Sequence, residues 1–162
     1  MKIKDLRWIL LAASLVVSVG HARAACSNAT LHGAYAFTLT GQILAPPPAA
    51  GLVSGVARTE FDGRGNLTQV DHVVHNGVLP AEEWRPAIGA YSINSDCTGW
   101  MTINPQPADP IDSSPELKLY VIVTEGGHEI RTVVSDSPTT PPFAANITSI
   151  GIRIAPGERG RW

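Results

Sequence analysis

The chain has 162 residues, about one domain by length, with 44% hydrophobic residues, enough to build a core, and only 16% charged. So low a charged fraction argues against disorder, and a formal net charge of −2 leaves no basic footprint for nucleic acid. Fifteen glycines and thirteen prolines disfavour long helices, and no window past residue 20 holds the ~18 consecutive apolar residues of a membrane span, so a small turn-rich β domain is expected.

Met1 to Ala24 reads as a secretory signal peptide. Lys2, Lys4 and Arg7 give a positive start, Trp8 to Val19 is an apolar run, and Ala22-Arg23-Ala24 is an A-x-A cleavage site. Cleavage after Ala24 and after Ala25 fit equally. Without residues 1–24 the chain keeps 8 of its 12 Lys and Arg and 13 of its 14 Asp and Glu, a net charge of −5 that favours solubility and opposes phosphate backbones. The domain is residues 25–162, with no internal repeat and no Gly/Ser-rich linker.

After Cys26 the hydrophobic period is two. Tyr35, Phe37 and Leu39 alternate with Ala36, Thr38 and Thr40 in a first strand. Leu52–Phe61 is the second, with Val53, Ala57, Thr59 and Phe61 opposite Arg58 and Glu60. Leu67–Val74, Ile88–Asn94 and Gly99–Asn104 follow, with Tyr91 and Ile93 sharing a face. Leu117–Thr124 sets Leu119, Val121 and Val123 against Lys118 and Tyr120. His128–Ser135 sets Ile130, Thr132 and Val134 against Glu129 and Arg131. Thr148–Ile154 sets Ile150, Ile152 and Ile154 against Arg153. Because an unpaired charge is costly to bury, the Phe61, Tyr91, Val121, Ile130 and Ile152 faces are expected inside. Arg58, Lys118, Arg131 and Arg153 are expected outside.

Tight turns at 62–66, 95–98 and 125–127 alternate with long Pro-rich connections, Gln42–Ala50, Asn76–Ala87, Pro105–Glu116 and Asp136–Asn146. In an up-and-down meander every second connection lies at the same end, so the long loops gather at one mouth. That parity also brings Cys26, just before the first strand, to the pole of the tight turn holding Cys97. One disulfide is the reading an oxidising compartment favours, closing a loop of about 70 residues, with two free thiols the alternative. Eight antiparallel strands suffice to close a barrel, and closure removes exposed edges. The expected fold is therefore all-β, an eight-stranded antiparallel up-and-down β-barrel with one disulfide.

Several stretches resemble a group of small secreted bacterial β-barrel proteins, most of them without an assigned activity. They are Cys26-x-x-x-x-Leu31-x-Gly33-x-Tyr35-x-Phe37, Phe61-Asp62-Gly63-x-Gly65-Asn66, Gly89-x-Tyr91-x-Ile93-Asn94-x-Asp96-Cys97-Thr98-Gly99 and Glu125-Gly126-Gly127-x-Glu129-Ile130. The resemblance spans nearly the whole chain after residue 25 and implies a calycin-like barrel, lipocalin-like or allene oxide cyclase-like in architecture. Its motifs belong to turns and strands, so it bears on fold and on a secreted or periplasmic location, and not on chemistry.

Asp71-His72-Val73-Val74-His75 is the most polar stretch within a strand. His72 and His75 face opposite sides there, and Asp71 and His75 share a side ~13 Å apart, so neither pair chelates an ion; no metal and no cofactor is expected. A four-residue loop at 62–65 puts His72 on the Phe61 face, and a five-residue loop puts His75 there. Either histidine with Tyr91 would be the acid–base pair of an enzyme. Glu82-Glu83-Trp84-Arg85 lies in a long loop, where the carboxylates read as solvated and Trp84 is placed to cover a ligand or seal the lumen. Tyr35, Phe37 and Tyr91 are expected to face the lumen beside it.

Three functions stay open on the sequence. One is a binding module for a small hydrophobic ligand between barrel and mouth loops. Another is a cyclase or isomerase working by confinement in the lumen. The last is a filled barrel with a structural or protein-interaction role. Oligomeric state is not set by these residues.

Overall fold

The structure, a computed structural model, describes residues 25–45, 50–106, 116–136 and 144–154. The segment read as a signal peptide, 1–24, lies outside them, as do 46–49, 107–115 and 137–143 of three long connections. The strands are β1 (His32–Ala45), β2 (Gly51–Asp62), β3 (Asn66–His75), β4 (Arg85–Ile93), β5 (Thr98–Pro105), β6 (Leu117–Thr124), β7 (Glu129–Asp136) and β8 (Ala144–Arg153). Each pairs with the next, and β8 pairs antiparallel with β1 to close the barrel. Gln42–Ala45, Arg85–Ala87 and Ala144–Asn146, expected in loops, are strand because each finds a neighbour: Gln42 faces both Leu52 and Asn146, and Arg85 faces Asp71.

Alternation decides what is buried. Val53, Ala57, Thr59 and Phe61 of β2, Leu119, Val121 and Val123 of β6, and Ile130, Thr132 and Val134 of β7 all point inward. Arg58 and Arg131 lie on the outer face, each paired with an acidic residue two positions away, Glu60 and Glu129. The turn between β2 and β3 sets the register. Asp62 accepts hydrogen bonds from the amides of Arg64, Gly65 and Asn66 and from the Asn66 side chain. The Asn66 side-chain amide contributes most to lowering the Asp62 carboxyl to about 2. Phe61 pairs with Leu67, so the connection is five residues long, and His75, not His72, takes the Phe61 face.

The tight-turn half of the barrel is solid. Phe61 sits between Tyr35 and Tyr91, with ring centroids 5.2 and 5.0 Å away and both contacts edge-on. The chain before β1 covers this pole. It makes one 3-10 turn at Asn28–Thr30, buries Leu31 completely, and is tied down by the Cys26–Cys97 disulfide, Cα atoms 5.0 Å apart. The Tyr91 hydroxyl is 3.1 Å from the carbonyls of both Asn28 and Leu31. Tyr35 donates to the Gly127 carbonyl and accepts from Arg153 Nε at 2.9 Å. Burial pushes both phenols above their ordinary pKa, with Arg153 pulling Tyr35 back.

The last strand corrects the sequence-based expectation. Ile150, Ile152 and Ile154 are exposed on the outer wall, while Gly151 is buried and Arg153 turns in. The reason lies in the neighbouring strand. Phe37 of β1 pairs with Gly151, and its ring occupies the space a Gly151 side chain would need. Arg153 then reaches the sealed pole, where Tyr35 and the Thr30 carbonyl, 2.7 Å from Nη2, take its N–H groups. Gly151→Ala should cost about 1–3 kcal/mol by overpacking against Phe37. Adding Phe37→Leu should recover part of that loss in a urea titration. A neutral Gly151→Ala would mean that the Phe37 ring gives way to the added methyl group.

Candidate functional site

The other half of the barrel is hollow. A cavity of about 440 Å³ lies where the strands approach the long connections. Phe37 is the deepest β1 residue to line it, and the wall continues with Leu39, Val53, Met101, Ile103, Leu119 and Val134. At the rim it reaches His75, Pro80, Arg85, Pro105 and Leu117. Its size falls within the ordinary range for small-molecule sites, and its walls are mostly apolar with a few placed polar groups, the usual make-up of such sites.

Those polar groups form two sets. On the β2–β4 side Gln69 Nε2 donates to Asp71 Oδ2 at 3.1 Å, and Thr59 Oγ1, buried behind the wall, donates to Gln69 Oε1 at 2.8 Å. Arg85 completes the chain, with Nε 3.1 Å from Asp71 Oδ1 and Nη2 3.3 Å from Oδ2. Asp71 is 3% exposed, so its charge is viable only because Arg85 and Gln69 hold both oxygens. On the β7–β8 side the hydroxyls of Thr132 and Ser149 are 2.7 Å apart. Among the described residues every buried side-chain nitrogen or oxygen has a hydrogen-bond partner.

The residues weighed for acid–base work do not meet. Tyr91 stands in the sealed half with its hydroxyl committed to backbone carbonyls. His72 points outward, donating through Nδ1 to the Glu83 carbonyl at 2.6 Å. His75 lines the cavity near its rim, with Nε2 3.5 Å from Asn76 Nδ2. Of the aromatic residues expected at a ligand, Phe37 lines the cavity, and Tyr35 and Tyr91 belong to the solid half. Trp84 is half-exposed and packs edge-on against His72, ring centroids 6.1 Å apart, on the outer wall. Among the described residues no three His, Cys, Asp or Glu side chains gather to hold a metal ion, and no helix is long and apolar enough to cross a membrane.

The Asp71–Arg85 pair escaped sequence reasoning, although both residues stood in stretches it singled out. The signal was available: with His75 inward, Asp71 must be inward too, and a buried carboxylate demands a cation on the facing strand. Compared with protein-family models, curated proteins and solved structures, the chain has no significant match. Its likeness to lipocalin-like proteins is one of barrel architecture, an eight-stranded closed antiparallel sheet.

Proposed function

We propose that this protein is a binding barrel that holds a small, largely apolar molecule in its lumen. The observation that carries the reading is the cavity of about 440 Å³ beside a half that is fully packed. A barrel stabilised by filling alone has no use for an apolar hollow, which forfeits dispersion contacts along its lining. The solid half and the disulfide supply a rigid base, and the cavity lies toward the other end of the barrel. The Cys26–Cys97 bond, together with the signal-like first 24 residues, supports a secreted or periplasmic location.

A ligand present at one hundred times its Kd should add about 2.7 kcal/mol of stability and raise Tm by about 5–10 °C. A thermal-shift screen of uncharged and charged lipophiles, with mass spectrometry of the purified protein for carried molecules, tests this. The absence of both a shift and a carried molecule would sink the reading.

One observation favours a second reading, a protein-interaction role. On the outer wall Trp100, Tyr120 and Val133 stand in one row across β5, β6 and β7, and in the next row Ile122 and Ile150 flank the exposed Arg131. All five hydrophobic residues are exposed, an apolar patch of the kind that marks contact surfaces. Light scattering over a concentration series tests it as a self-association face, and a monomer throughout would remove that form of it.

A further inference from the structure

We propose that the lumen selects an uncharged apolar molecule carrying one hydrogen-bond acceptor, such as a ketone, ester or aldehyde, and that Arg85 reads that acceptor. This deepens the binding role proposed above and rests on it.

Arg85 meets Asp71 through one edge of its guanidinium, Nε and Nη2. The opposite edge, carrying Nη1, therefore faces away from the carboxylate. Nη1 has no acceptor among the described residues, yet it is not a sealed, unsatisfied donor. Arg85 also lines the cavity, with its side chain about a third exposed. Its free edge thus offers donors at the border of a mostly apolar space.

Charge decides which acceptor suits it. The positive charge is already matched by Asp71, which is buried and held by Gln69 and, behind it, Thr59. A carboxylate bound to the free edge would bring a second negative charge to the same guanidinium. Arg85 would then sit between two anions in an apolar cavity, with one net charge desolvated and uncompensated. A carbonyl oxygen takes the same hydrogen bond without that cost. The apolar remainder would lie along Phe37, Leu39, Met101, Ile103 and Leu119. Asp71 is accordingly a positioning residue: it fixes the guanidinium plane and cancels its charge without touching the ligand.

The test compares three eleven-carbon probes, 2-undecanone, undecanoate and undecane, by calorimetric titration at pH 8. The wild type should bind the ketone roughly tenfold or more tighter than undecanoate, whose second negative charge beside Arg85 stays uncompensated, and about tenfold tighter than undecane, because a hydrogen bond from a charged donor is worth about that factor. The double variant Asp71→Leu/Arg85→Met removes the pair together and avoids a stranded buried charge. It should lose about tenfold in ketone affinity and leave undecane unchanged. Arg85→Lys keeps the charge opposite Asp71 without the second planar edge and should show the same selective loss, so the proposal stays testable if the double variant does not fold. Undecanoate binding tighter than the ketone would overturn it, and so would unchanged ketone affinity in both variants; either result leaves the lumen as a binding site. Binding of none of the three probes would overturn the proposal together with the binding role.

Discussion

Replacing Phe61 with alanine is expected to lower stability by about 3–5 kcal/mol, measured by urea denaturation of the wild type and variant. Phe61 is 1% exposed and is the middle ring of the Tyr35–Phe61–Tyr91 stack. Its removal forfeits the burial of a whole ring, two edge-to-face contacts and the fit of two tyrosines whose hydroxyls are aimed at fixed carbonyls. Because the surrounding half is solid and one end is stapled, the space cannot collapse easily, which places the cost toward the upper part of the range. Phe61→Leu should cost markedly less. A loss under 1 kcal/mol for the alanine variant would contradict a packed sealed half.

Removing the disulfide, with Cys26→Ser and Cys97→Ser together, should cost about 4 kcal/mol. The bond spans 71 residues, and in the chain-entropy account a loop of that length restricts the unfolded state by about this amount. The native side adds a local effect. Cys26 anchors the segment that carries Leu31 and Asn28 onto the pole, where Asn28 Oδ1 accepts from the Ile93 amide at 2.8 Å. Hydrogen exchange at Ile93 and Tyr91 should therefore quicken in the variant beyond what global destabilisation explains. Thiol labelling of the unfolded, unreduced wild type should find no reactive cysteine, and two reactive thiols would refute the bond.

Most of the fold was legible because alternation and punctuation agree. On β6 the contrast between Leu119, Val121, Val123 and Lys118 leaves only one way to face the strand, and the alternation of tight and long connections orders the strands. β8 misled for a definite reason. Three isoleucines alternate with an arginine there, and nothing local reveals that Phe37 fills the Gly151 position or that Arg153 has Tyr35 and Thr30 to bind. Such information resides in the neighbouring strand, beyond the reach of a period-two pattern. The site follows the same logic. Its location at the long-loop end came from topology, whereas its chemistry required the pairing of Asp71 with Arg85 across β3 and β4. Trp84 stood out as a large apolar ring in a loop, but the five-residue turn at Asp62–Asn66 sends His72 outward, and Trp84 packs on it there.

Closure of the sheet by β1 against β8 has a kinetic consequence. Seven of the eight strand pairings join neighbours in sequence and can form as local hairpins. The eighth joins residues as far apart as Tyr35 and Arg153, 118 positions, and has to wait for the final strand. Until then β1, at 14 residues the longest strand, presents one unpaired side to whatever else is in solution. The step that ends this exposure is the one with the greatest loop-closure entropy, and it is expected to limit the folding rate. Crowded unfolded chains would thus compete with β8 for the edge of β1, and the yield of folded barrel should depend on chain concentration during refolding far more than the stability of the finished sheet does.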